Sequence, residues 1–189
     1  NDDQAQFTLV TTSALPEADA VATGDFDRDG DLDLVFATDQ GAQLVKTQGP
    51  GNLTPFATFG SADLDAIAAA DVDGDGDLDL AVGGAGGFAI WNNDGTGNFT
   101  QLDPLTGVTT NVLRFADVDG DGQVDLLPGA NLGAALWRND GGNSQQATIT
   151  LGQTQNRDAT CADLDGDGDI DVALADAAPA GGVRVFLQR

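Results

Sequence analysis

The sequence predicts an all-β fold made of four copies of one unit, and three observations predict it. An acidic nonapeptide, Asp71-Val72-Asp73-Gly74-Asp75-Gly76-Asp77-Leu78-Asp79, recurs in near-identical form from Asp25, Asp117 and Asp163, each start 46 residues after the last. A fixed period of about 20–50 residues marks a repeat architecture. Each unit also carries four short segments rich in Val, Leu, Phe, Ala and Thr, bounded by Gly, Asp and Pro clusters, which is how strands read. No segment sustains a helical period with caps.

In the first unit the four segments are Phe7–Thr12, Ala20–Gly24, Leu32–Ala37 and Ala42–Lys46. The first recurs as Leu53-Thr54 and Phe99-Thr100, and more loosely over Ala147–Leu151. The second enters the acidic loop and always ends small, at Gly24, Ala70, Ala116 and Ala162, which implies a crowded place such as strands converging on an axis. The third leaves the loop with alternating character, as in Leu78-Asp79-Leu80-Ala81-Val82. The fourth recurs as Phe88–Asn92, Ala134–Arg138 and Val183–Leu187. Turns follow three of these, with Gly49, Gly95 and Gly141 in phase and Asn-Asp-Gly at two of them.

Four strands per unit, repeated about an axis, describe the blades of a β-propeller. A linear solenoid would need shorter rungs and atypical capping units, and neither is present. The expected architecture is one domain over 1–189, with blades at about 20–65, 66–111, 112–157 and 158–189. The segment 7–12 is expected to supply the missing outer strand of the last blade and close a four-bladed ring, which removes exposed sheet edges. The alternatives are half of an eight-bladed ring completed by a second copy, so monomer or homodimer, or a stretch of a longer propeller. The chain starts at Asn1 and contains no Met, so a signal peptide or a larger parent is expected to have preceded it.

Composition narrows the function. Hydrophobic residues make up 41% and charged residues 20%, which fits a folded chain and not an acidic disordered one. There is no apolar run of about 18 residues, hence no expected membrane-spanning helix. The formal charge is −24, and 19 of the 31 acids sit in the four loops, so the charge is concentrated in sites. Nucleic acid is excluded as a partner by phosphate repulsion. Cys161 is the single cysteine, which precludes an intrachain disulfide and reads as a buried structural thiol.

The shared loop pattern is Asp-x-Asp-x-Asp-Gly-x-x-Asp. Hard cations take oxygen ligands, and calcium accepts six to eight of them in flexible geometry. Carboxylates at positions 1, 3 and 5 can be aimed at one point by a tight turn: Asp25, Asp27 and Asp29; Asp71, Asp73 and Asp75; Asp117, Asp119 and Asp121; Asp163, Asp165 and Asp167. Glycine at position 6 permits the reversal. Position 7 (Asp31, Asp77, Gln123, Asp169) is expected to offer its backbone carbonyl, which explains why Gln is tolerated there. Position 9 (Asp33, Asp79, Asp125, Asp171) supplies a further carboxylate. Four bound Ca2+ ions are expected. The loops are not EF-hands, because position 12 is Phe36, Val82, Pro128 or Leu174 in place of a bidentate Glu. Zinc is disfavoured by the absence of His and by the lone Cys.

With their flanks, as in Ala70-Asp71-Val72-Asp73-Gly74-Asp75-Gly76-Asp77-Leu78-Asp79-Leu80, these loops resemble FG-GAP/VCBS repeats, the units of integrin α-subunit-like propellers. The resemblance covers essentially the whole chain. It implies a calcium-stabilised propeller in secreted or cell-surface proteins, serving adhesion, ligand binding or scaffolding. It also implies that the loop joins the innermost strand to the next. Blade number departs from the family, whose propellers usually have seven or more.

Beyond metal binding, the residues argue against an enzyme. There is no His or Tyr, one Glu (Glu17) and one Lys (Lys46), so general acid–base chemistry has almost only Asp to draw on. A calcium-dependent polysaccharide-active enzyme is the weakest alternative. A glycan-binding, lectin-like module is a sharper one, because Trp91 and Trp137 stand 46 apart beside Asn92-Asn93-Asp94 and Arg138-Asn139-Asp140. Val45 in the same phase favours packing between blades for both. Two glycosylation-type sequons, at Asn52 and Asn98, read as surface turns. Arg28-Asp29-Gly30 lies inside a loop and reads as loop geometry, not as an adhesion peptide.

Overall fold

The structure is a computed structural model that describes residues 17–60, 63–102, 105–106, 109–130, 133–141, 149–151, 155–177 and 182–188, with Leu9 and Leu15 besides. It contains no helix among the described residues, only strands. The first antiparallel sheet is β1 (Ala20–Gly24), β2 (Asp33–Thr38), β3 (Gly41–Thr47) and β4 (Leu53–Phe59), in that order. The second is β5 (Leu64–Ala70), β6 (Asp79–Gly84), β7 (Gly87–Asn93) and β8 (Phe99–Gln101), with the short β9 (Leu105–Thr106) also on β7. The third is β10 (Thr110–Ala116), β11 (Asp125–Ala130), β12 (Gly133–Leu136) and β13 (Ile149–Thr150). The fourth is β14 (Asn156–Ala162), β15 (Asp171–Asp176) and β16 (Val183–Phe186).

Each acidic loop therefore joins the first strand of a sheet to the second. The sheets stand in a row, β5 against β1, β10 against β5 and β14 against β10. This crowding explains the small residue that ends each first strand: a Cβ on Gly24 would stand 2.4 Å from Leu78 Cδ1 of the next sheet. β5, β10 and β14 share a register shift at Leu64/Ala66, Thr110/Val112 and Asn156/Asp158, so the repeat keeps even its bulges in phase.

The core lies between the sheets and not within them. Phe26, Val35, Ala37 and Leu44 of the first sheet pack on Leu64, Ile67, Leu80, Val82 and Trp91 of the second. Ala66, Val72, Ala81 and Ile90 meet Leu113, Leu126 and Trp137 of the third, and Val112, Leu127 and Ala134 meet Ala159, Val172 and Leu174 of the fourth. Both tryptophans are thus filled in between sheets, with Phe59 5.0 Å from Trp91. Neither is the open sugar platform that its neighbours in sequence allow. Cys161 pairs with Val172 and is half-buried, and burial pushes its thiol pKa up.

The row does not close on itself among the described residues. Leu9 apart, the segment 7–12 expected to complete the fourth sheet lies outside them. The fourth sheet also carries a three-residue offset in its last hairpin. Phe186 pairs with Val172, where Trp91 pairs with Leu80 and Trp137 with Leu126.

Candidate functional site

Aspartate dominates the loops because its short side chain can accept hydrogen bonds from backbone N–H groups two or more residues on. All four loops use it in the same way. At position 1, one carboxylate oxygen of Asp25, Asp71, Asp117 and Asp163 accepts the N–H of the position-6 glycine at 3.0–3.1 Å. At position 3 a carboxylate accepts from the residue at 5, and at position 5 from the residue at 7. The carboxylates are thereby wound around one turn, whose glycines hold left-handed φ: Gly76 is at 89° and Gly122 at 90°.

Position 9 is different in kind. Asp33, Asp79, Asp125 and Asp171 are at most 1% exposed. One oxygen of each accepts the N–H at position 2 (Phe26, Val72, Val118, Leu164) at 2.8–3.2 Å. The other accepts the N–H of Thr47, Asn93, Asn139 or Gln188 at 2.8–2.9 Å, at the far end of the third strand. This aspartate locks the loop to the rest of its sheet. Burial pushes the Asp79 carboxyl up to about 6, against the pull of its two N–H donors, and moves Asp33 and Asp125 the same way.

Four sets of three carboxylates, one per loop, place ligand oxygens within 4.8 Å of one another. They are Asp25, Asp27 and Asp29; Asp71, Asp73 and Asp79; Asp117, Asp119 and Asp125; and Asp163, Asp165 and Asp171. A fifth, overlapping set joins Asp119 and Asp121 to Asp140, a turn residue that the loop pattern does not include. Asp31, Asp33, Asp75, Asp77, Asp167 and Asp169 stand outside these sets. The donor chemistry, all oxygen and all anionic, fits a hard divalent cation. Asp25 Oδ1 adds a second indication, since it is buried and has no hydrogen-bond partner. In the other loops the equivalent oxygen accepts from Gly74, Gly120 or Gly166, whereas loop one carries Arg28 at that position.

Two further features escaped the loop pattern. Position 7 reaches the turn after the third strand: Asp31 accepts the Gly49 N–H at 3.0 Å, and a Cβ on Gly95 would meet the Asp77 carboxylate at 2.6 Å. Arg28 also crosses to the second loop, pairing with Asp77 and bonding Asp75 O at 3.3 Å. Position 3 meets the residue 19 further on. Lys46 pairs with Asp27 at 2.9 Å and holds its carboxyl below the usual range, Asn92 donates to Asp73 at 2.6 Å, and Arg138 pairs with Asp119. In the fourth sheet the three-residue offset brings Leu187, 22 residues after Asp165, to the equivalent place. The constant spacing of 46 and 27, 92 and 73, 138 and 119 was visible in the sequence, but only the loop residues carried a recognisable metal pattern.

A family model for the FG-GAP-like repeat matches residues 25–82 and again 71–127, more than half of the chain. The chain belongs to the FG-GAP-like repeat family. Solved structures similar to this FG-GAP repeat chain include BBS1N in complex with ARL6DN, at 16% identity and a TM-score of 0.61. That match covers 90% of this chain and 55% of the other. A lectin of Agrocybe aegerita that recognises non-reducing terminal N-acetylglucosamine aligns at 21% identity and a TM-score of 0.56, over 86% and 50% of the two chains. The V. cholerae biofilm matrix protein Bap1 aligns at 23% and 0.53, over 88% and 26%. The likeness is one of fold, and the FG-GAP repeat chain spans about half or less of the length of two of these proteins and just over half of BBS1N. No curated protein matches it by sequence.

Proposed function

We propose that the chain is a calcium-binding propeller module, secreted or displayed at the cell surface, that serves binding, adhesion or scaffolding and carries no catalytic activity. Its four sheets are four blades, and each loop holds one Ca2+ through positions 1, 3 and 5, with position 7 offering its carbonyl and position 9 a carboxylate. The observation that carries this reading is that every loop gathers three carboxylates within 4.8 Å of one another, at positions 1, 3 and 5 in the first loop and 1, 3 and 9 in the other three, on loops closed by the same hydrogen bonds. Like charges gathered so closely repel one another unless a cation offsets them. Bound calcium stabilises the folded chain, by about 2.7 kcal/mol per site at a concentration 100-fold above Kd. Thermal unfolding in calcium and in excess EDTA tests this: the melting temperature falls steeply on chelation. An unchanged melting temperature sinks the reading.

A glycan ligand is the second reading, favoured by the likeness to a lectin. The tryptophans are not its platform. A cleft of about 370 Å3 between the third and fourth loops, lined by Asp117, Val118, Asp169 and Ile170, is the place for it. A glycan array run with calcium reads it out directly, and a blank array removes it.

A further inference from the structure

The sheets present two faces in a fixed order, and each end of the row leaves one face open. Phe26, Val72 and Val118, the residues after the first aspartate of loops one to three, are at most 7% exposed, and Phe26 and Val72 lie in the cores shared with the sheet that follows. Leu164, in the same position on the fourth sheet, is 49% exposed. Strand register extends the comparison. Val185 pairs with Ala173 as Leu44 pairs with Val35 and Ile90 with Ala81. Leu44 and Ile90 are at most 4% exposed, and Val185 is 52%. The first sheet is the converse case. Ile67, Leu113 and Ala159 are buried against the sheet that precedes each, whereas Val21, in phase with them, is 54% exposed and Leu32 is 67%.

We propose that two copies of this chain join head to tail, the open face of the fourth sheet of each docking on the open face of the first sheet of the other, so that eight blades close one ring. The proposal takes the propeller reading above as given. Continuity with an interface already built three times inside the chain identifies the occupant. The face left open on the fourth sheet is, position by position, the one that sheets one to three present to their successors. The face left open on the first sheet is the one that sheets two to four present to their predecessors. One chain therefore carries both halves of the joint, and two identical joints cover all four open faces, a head-to-tail contact that closes.

The polar part of the joint is present as well. Inside the chain, Asn93 Nδ2 donates to Phe26 O at 2.9 Å, and Asn139 Nδ2 donates to Val72 O at 2.6 Å. The equivalents across the joint are Thr47, whose N–H bonds Asp33 as those of Asn93 and Asn139 bond Asp79 and Asp125, and the carbonyl of Leu164. Elsewhere Lys46 reaches Thr96 O of the next sheet at 3.0 Å; across the joint the matching residues are Leu187, 44% exposed, and Pro50, so this corner becomes apolar.

The test is the mass in solution of the whole chain in calcium, by light scattering behind size exclusion. The expected result is twice 19.2 kDa for the unsubstituted 189-residue chain. Val185→Asp and Val21→Asp each sit on an exposed face and leave the fold intact, yet each shifts the protein to monomer, since burying an unpaired charge in an apolar joint weakens it by about 100-fold or more. A mixture of the two variants recovers dimer, because one joint joins two unmodified faces. An unsubstituted chain that runs as a monomer overturns the proposal, and so does a Val21→Asp variant that stays dimeric. Calcium counted on the same samples separates the two readings: a calcium-loaded monomer refutes the dimer alone and leaves the metal sites standing.

Discussion

Removing calcium and lowering the pH act on Asp79 with opposite signs. The carboxyl is 1% exposed, and burial raises its pKa from 3.8 to about 6 in the metal-free chain. A group raised in this way adds stability below its unfolded value and loses it as pH climbs through its folded value. At 1.36 kcal/mol per pKa unit, the full swing is about 3 kcal/mol. Between pH 7 and pH 5, about 1 kcal/mol of it is realised. For a chain of this size that amounts to a rise of about 2–4 °C in melting temperature on acidification. Asp33 and Asp125 are raised by the same desolvation and push the same way. Asp27, held low first by its bond to Lys46, and Asp94, held low first by Thr96, act only below 3.8. Chelated protein therefore gains thermal stability from pH 7 to pH 5. Calcium-loaded protein loses it, because protons compete with the ion. Differential scanning calorimetry of both forms across this range provides the assay. A chelated form whose melting temperature is flat or falls on acidification refutes the desolvation argument.

Other perturbations probe the frame that holds the loops. Asp79→Ala strips the acceptor from the buried N–H groups of Val72 and Asn93, and at about 1–3 kcal/mol for each unpaired donor the variant loses about 2–6 kcal/mol in urea unfolding. Gly84→Ala and Gly86→Ala form a matched pair. A Cβ at 84 would lie 1.8 Å from Asp63 O, while nothing stands within 4 Å at 86. The first substitution is expected to cost well over 1 kcal/mol and the second to stay within about 0.5 kcal/mol. Lys46→Ala removes the cation that pairs with the largely covered Asp27 carboxylate and tightens calcium at the first loop. Calorimetric titration reads this change, and weaker calcium binding in the variant contradicts it.

Much of this arrangement was legible in the residues. The period of 46 gave the sheets, the small residues at 24, 70, 116 and 162 gave the crowded meeting of first strands, and the acidic pattern located the loops. The double duty of Asp33 and its equivalents was not, because the second N–H partner of each lies 14 or more residues away and no side-chain pattern marks a backbone donor. The tryptophans were ambiguous for a similar reason. An aromatic beside Asn and Asp suits either a sugar or a core, and only the adjoining sheet decides for the core. The offset that brings Phe186 opposite Val172 comes from a longer hairpin, which breaks strict phase without changing the strand. Ring closure depends on the angle between sheets, and no residue pattern encodes that angle.

Native mass spectrometry in calcium tests most directly whether each loop is a metal site. Four ions per chain are expected for the unsubstituted sequence, and three when Asp163 and Asp165 are both replaced by Ala. A chain that carries no calcium, or one that keeps all four ions after that double substitution, contradicts the assignment of one ion to each loop.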